Sequence, residues 1–322
     1  MNAKTQSRIE NFHISFFAIA LGLAGFTLAT QKLETLLWNS ETVTRILLSV
    51  SIVVLGLVSV LYMFKGIRHF PTLKQEWLHP VKMNFFPLIA KTLLVLSVVF
   101  LEINLSTSKI FWIVGTVAQG VLSLTILSFW FSHKAFEIQH SSPAWFIPIV
   151  GSMIVPIAGV AHGYVELSWF FYATGFFFWL FLSAILLYRL IFFPPLPDKL
   201  LPTFFIFFAP PAIGFIAFCK LTNLTQLTAF PRLLFYFSLF LFALALIQLP
   251  RLLKIRFFLS WWAYSFPLAA ITLAILRMFT ITKQAFFLYF AMGTYALLVA
   301  ILCLLIYKTI RGILHHSLCV ED

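Results

Sequence analysis

Acidic side chains are scarce in this 322-residue sequence: ten Asp and Glu stand against twenty-two Lys and Arg, and none occupies the centre of a long apolar stretch. Proton-coupled carriers and cation pathways need carboxylates inside the membrane, so the deficit disfavours both. Cysteine is rarer still. Cys219, Cys303 and Cys319 occur at spacings that fit neither a disulfide framework nor a metal knuckle. No Gly-x-Ser-x-Gly turn is present, which removes a common serine-nucleophile signature. Uninterrupted basic runs are missing too, so the formal charge of +12 builds no nucleic-acid surface. Only 10% of residues are charged, whereas 61% are hydrophobic and 18% aromatic, with 40 phenylalanines. A soluble domain of this length has no interior large enough for that apolar surface. The partner of most of the chain is the lipid bilayer.

A span needs about 20 apolar residues to cross the hydrocarbon. Reading by that rule gives ten: 12–30, 43–64, 84–103, 109–131, 143–161, 166–192, 202–219, 229–249, 259–278 and 284–307, the seventh being the shortest. The opening MNAKTQSRIE is polar and no small-residue cleavage site follows the first apolar core, so that core reads as a retained span and not a signal peptide. The short loops imply a single ten-helix domain over 1–322, with tails at 1–11 and 308–322. With the N-terminus inside, fourteen Lys and Arg fall on the inner side, including Lys4, Arg8 and Lys134, and seven on the outer side. The positive-inside rule then makes both termini cytoplasmic and the protein a multi-pass resident of the plasma (inner) membrane.

Prolines in span interiors recur in the odd-numbered spans only: Pro87 in the third, Pro148 and Pro156 in the fifth, Pro210 and Pro211 in the seventh, Pro267 in the ninth; Pro231 stands at the start of the eighth, where proline is tolerated. Positions 87, 148, 210 and 267 step by 61, 62 and 57 residues, about the length of one helical hairpin. Small residues follow the same alternation. Ala18, Gly22, Gly25 and Ala29 form a stripe in the first span; Ser152, Pro156 and Gly159 do so in the fifth, and Pro210, Gly214 and Ala217 in the seventh. Such stripes serve close helix packing or line a passage. Their recurrence in alternate helices favours the passage. The fold class expected is all-α integral membrane: five helical hairpins in a ring, kinked odd helices around a central pore and bulky even helices outside.

The segments HPVKMNFFP (79–87), SPAWFIPIVG (142–151), LPDKLLPTFFIFFAPPA (196–212) and SWWAYSFPLA (260–269) resemble the TehA tellurite-resistance/slow anion channel family. They span most of the chain in that family's order. The resemblance implies a homotrimer of ten-helix protomers, each with its own pore lined by the odd helices. It also implies that a phenylalanine of the ninth-helix motif, matched here by Phe266, plugs that pore. The chain departs from the pattern at Ala18 and Ala20, where glycine or proline is common, and at Lys91.

On this reading Pro267 removes the amide that would bond the Ala263 carbonyl, and the bend swings the Phe266 ring across the axis. The competing reading makes Phe266 one of many core phenylalanines. Lys91 lies about seven residues inside the third span, ~10 Å deep at 1.5 Å per residue. Two placements stay open: facing the pore, where it draws anions, or snorkelling to the inner interface. The function expected is a gated, weakly selective channel for small inorganic anions. The alternative is a secondary exporter of oxyanions such as tellurite or sulfite, or of C4-dicarboxylates such as malate. An intramembrane enzyme or haem protein has little support. The pairs His133/Glu137 and His162/Glu166 sit at span ends, and His79 reads as a helix-entry residue, so no metal or other cofactor is expected.

Overall fold

The computed structural model describes residues 9–38, 40–132, 136–315 and 318. Lys4, Arg8, His133, Lys134 and Cys319 lie outside the described residues, as do 1–8 of the first tail and 316–317 and 319–322 of the last. Among the described residues the chain is helical, with no strand. Among the described residues, nine helices are long and apolar enough to cross a membrane: α1 Ile14–Leu37, α2 Thr42–Arg68, α3 Lys82–Phe100, α4 Leu105–Ser132, α6 Val165–Phe192, α7 Leu201–Leu221, α8 Ala229–Leu252, α9 Leu259–Thr282 and α10 Ala285–Leu314. A shorter apolar segment, α5 Pro143–Gly159, completes the series. The fifth segment, not the seventh, is thus the shortest. A further short helix, Phe70–Leu78, fills the loop between α2 and α3.

Odd and even members differ in burial. In α1, α3, α7 and α9, 61–83% of an 18-residue apolar window is buried, against 22–39% in the even helices. The odd segments therefore form the interior and the even helices the lipid-facing periphery. Within the interior, α1 packs on α3, α3 on α5, α5 on α7, α7 on α9, and α9 returns to α1.

The prolines act differently from the bends expected. Each odd segment opens as a tight 3₁₀ stretch: Ile14–Phe16, Lys82–Phe85, Pro143–Trp145, Leu201–Phe208 and Leu259–Tyr264. Pro87 directly precedes the α-helical part of α3, Pro210 and Pro211 stand in the first turn of that of α7, and Pro267 is third in that of α9. First-turn amides have no intrahelical acceptor, so proline is tolerated there. The correction is that these prolines mark 3₁₀-to-α junctions instead of kinking a continuous α-helix. Pro250 also falls inside α8, because that helix runs on to Leu252; the even helices are not free of proline.

The fifth segment is irregular throughout, alternating short α and 3₁₀ pieces. Its carbonyls need partners in a medium without water. Side chains on one face of α4 supply them. Gln119 Nε2 and Ser123 Oγ each lie 2.6 Å from the Pro148 carbonyl, and the Trp112 indole N–H donates to the Val155 carbonyl at 2.9 Å.

Two buried carboxylates fasten helix ends. Glu34, on a part of α1 that extends past the expected span, accepts the Val43 and Thr44 amides at 3.0 and 2.8 Å and so caps α2. Glu76, on the short helix, accepts from the Ile14 amide at 2.7 Å, Lys65 Nζ at 2.8 Å and Tyr62 Oη at 3.1 Å. Burial pushes its carboxyl up, but His13, Lys65 and the Ile14 amide outweigh that and bring the pKa down from 4.5 to about 2. His79 Nδ1 accepts the Val81 and Lys82 amides at 3.1 and 3.3 Å, at the entry to α3.

Candidate functional site

All five inner segments meet around one cavity of about 60 Å³. Its wall is drawn from Ala18 and Leu21 of α1, Leu88 and Lys91 of α3, Val150 and Gly151 of α5, Pro210 and Ile213 of α7, and Trp262, Phe266 and Pro267 of α9, with further apolar neighbours. Among the described residues lining it, Lys91 alone carries charge.

Phe266 owes its position to the junction in α9. It is the second residue of the α-helical part, directly after the 3₁₀ stretch Leu259–Tyr264. The ring is half-buried and borders the cavity. Glycines of α1 let α9 come this close. A Cβ added at Gly25 would sit 3.1 Å from Phe266 Cδ2 and 3.2 Å from Ala269 Cβ. One added at Gly22 would overlap the Ser265 side chain and stand 3.1 Å from Trp262 Cε3. From the other side, the Trp262 indole donates to Thr309 Oγ1 of α10 at 3.0 Å. The 3₁₀ stretch is thereby pinned between an inner and an outer helix.

Lys91 is four residues beyond Pro87, whose carbonyl accepts its amide at 3.0 Å. Its side chain is only 7% exposed. The tip lies against Gly151, where a Cβ would overlap Cε and crowd Nζ. The amine therefore points across the interior to α5 and does not run back along α3. No hydrogen bond or ion pair holds it among the described residues.

The cavity brings together Ala18, Lys91, Pro210, Phe266 and Pro267, but not the other candidates. Gly22, Pro87, Pro148, Ser152, Pro156, Pro211 and Gly214 lie outside its lining. Gly22 makes room for Ser265. Ser152 Oγ is 2.6 Å from the Ile149 carbonyl and 3.0 Å from that of Phe171. The Gly214 carbonyl accepts from Tyr172 Oη at 3.3 Å. At Gly22, Ser152 and Gly214 the small residues make helix contacts.

Sequence reading overlooked Gly151 and Trp262. The signal available for Gly151 was its place at the middle of α5 combined with a mid-span lysine that needs a neighbour without a side chain. Of the histidines, His162 Nε2 lies 2.9 Å from Ser108 Oγ, and burial together with the nearby Lys109 charge lowers its pKa. His133 is outside the described residues. Among the described residues no three His, Cys, Asp or Glu side chains gather as a metal site.

Comparison with known proteins supplies the deciding observation. The model of the SLAC1 voltage-dependent anion channel family matches residues 11–310. The chain belongs to this family. Similar proteins include an uncharacterized transporter of Methanocaldococcus jannaschii, 27% identical over 96% of this chain and 96% of that one. The S-type anion channel SLAH2 of Arabidopsis thaliana is 30% identical over 85% of this chain and 54% of its own length. A tellurite resistance protein TehA homologue of Haemophilus influenzae is 25% identical over 79% of this chain and 77% of that protein. SLAC1-family membership makes this a multi-pass membrane protein. At the level of the family it supports anion channel or transport activity, not enzymatic chemistry.

Proposed function

We propose that the protein is a gated, weakly selective channel for small inorganic anions, with Phe266 as the plug of a conduit enclosed by α1, α3, α5, α7 and α9. The observation that carries this reading is the shared cavity: five separate inner segments contribute to one wall, and the Phe266 ring borders it. An apolar ring in a narrow apolar tube stops ions by steric block and by denying them hydration. An ion that does pass meets few polar ligands, so ease of dehydration sets the preference among anions. In this reading the chain is a single ten-span domain of a homotrimer in the plasma (inner) membrane, with both termini cytoplasmic and one conduit per protomer.

Phe266→Ala tests the plug. Purified protein in planar bilayers or proteoliposomes gains anion conductance at least tenfold, equivalent to ~1.4 kcal/mol or more off the barrier. An unchanged, low conductance removes the gate. A second reading, a secondary exporter of oxyanions or C4-dicarboxylates, is favoured by relatives named as a transporter and as a tellurite resistance protein. Flux separates the two: a channel gives single-channel currents, whereas a carrier saturates at a low turnover.

A further inference from the structure

We propose that Lys91 and Gly151 form a binding site for one small monovalent anion, chloride-like in size, inside the cavity beside Phe266. A lone positive charge within hydrocarbon costs at least ~2.5–3.5 kcal/mol, and such groups pair with a counter-charge where they persist. Lys91 is deeply buried, borders the cavity and has no partner among the described residues. No carboxylate lines that wall. An anion entering the cavity supplies the counter-charge that this wall lacks and holds the amine in its charged form.

Gly151 defines the seat. It lies eight residues from each end of Pro143–Gly159, hence near the middle of the shortest inner segment. Lacking a side chain, it leaves room for the Lys91 tip to pack against it, and both residues line the cavity. The lining sets the ligand class: one ammonium faces a wall that is otherwise apolar. A halide or nitrate matches that single charge and sheds its hydration at modest cost, whereas a C4-dicarboxylate or a divalent oxyanion brings two charges against one ammonium and is more strongly hydrated. The site holds an anion next to the ring it must pass, so binding strength and gating are neighbours in space.

The proposal rests on the channel reading only for the anion's route to the cavity, and the test keeps the two apart. Bromide is the probe. Crystals of the wild type grown in bromide give an anomalous peak within hydrogen-bond distance of Lys91 Nζ. In detergent, the unfolding temperature rises when sodium bromide replaces sodium gluconate at constant ionic strength, since a ligand of the folded state stabilises it. Lys91→Gln raises the half-maximal bromide concentration for that shift roughly ten- to a hundredfold, the loss of one charge-assisted hydrogen bond. Gly151→Ala keeps the charge but displaces the flexible tip, and weakens the bromide shift as well. An equal shift in Lys91→Gln, or a bromide peak away from Lys91, overturns the site. A silent Phe266→Ala channel with an intact Lys91-dependent shift supports the site and removes the gate, and the flux measurement then separates channel from carrier.

Discussion

Replacing Glu76 by Gln removes the charge that ties the start of α1, the C-terminal end of α2 and the helix Phe70–Leu78 together. The Glu76 and Lys65 side chains are 4% and 2% exposed and lie 2.8 Å apart. Removing one partner of a buried pair leaves the other charge uncompensated, at a cost of about 3–5 kcal/mol. The same contacts also make stability depend on pH. The Glu76 carboxyl falls from 4.5 to about 2 on folding. A depressed carboxylate adds stability that is complete above its unfolded pKa and is lost as pH falls through the folded one. At 1.36 kcal/mol per unit this is about 3 kcal/mol, present above pH ~4.5 and lost toward pH 2. Reversible unfolding in mixed micelles with rising SDS fraction, at neutral and acid pH, measures both. Glu76→Gln loses about 3–5 kcal/mol at neutral pH, together with most of the acid-dependent loss. Lys65→Met combined with Glu76→Gln costs less than the sum of the single changes, because neither leaves a stranded charge. A Glu76→Gln protein within 1 kcal/mol of wild type, with an unaltered pH profile, refutes the latch.

Three further outcomes follow from the packing. Gly22→Val forces a side chain into Ser265 and lowers stability by about 1–3 kcal/mol, read from the same unfolding curves. Gln119→Leu with Ser123→Ala strands the Pro148 carbonyl and costs ~1–3 kcal/mol; hydrogen exchange in α5 rises while that of α10 stays unchanged. Glu34→Ala uncaps α2 and costs about 1–2 kcal/mol, with fraying confined to its first turn.

Proline spacing and stripes of small residues exposed the hairpin repeat and the alternation of inner and outer helices, because apolar periodicity survives in a linear string. The same spacing misled on mechanism. Proline reads as a bend in a continuous helix until the preceding 3₁₀ stretch is seen, and that stretch depends on contacts such as Trp262 to Thr309. At Gly22 and Gly214 the linear string leaves two roles open, because a small residue permits close approach to a neighbour or to a void alike. The SWWAYSFPLA motif drew attention to Phe266, yet only the assembled interior put Ala18, Lys91 and Pro210 around the same space.

Composition and hydropathy by themselves determined that this chain lives in lipid, that it crosses repeatedly, and that alternate segments carry slim faces. Those properties are summed or local, so each stretch records its own share. The tertiary structure decided which slim faces meet and which border the cavity, and where the Lys91 tip lies. Those are contacts between residues as far apart as Gly22 and Ser265, set by how ten segments fill one volume, and no single segment encodes them.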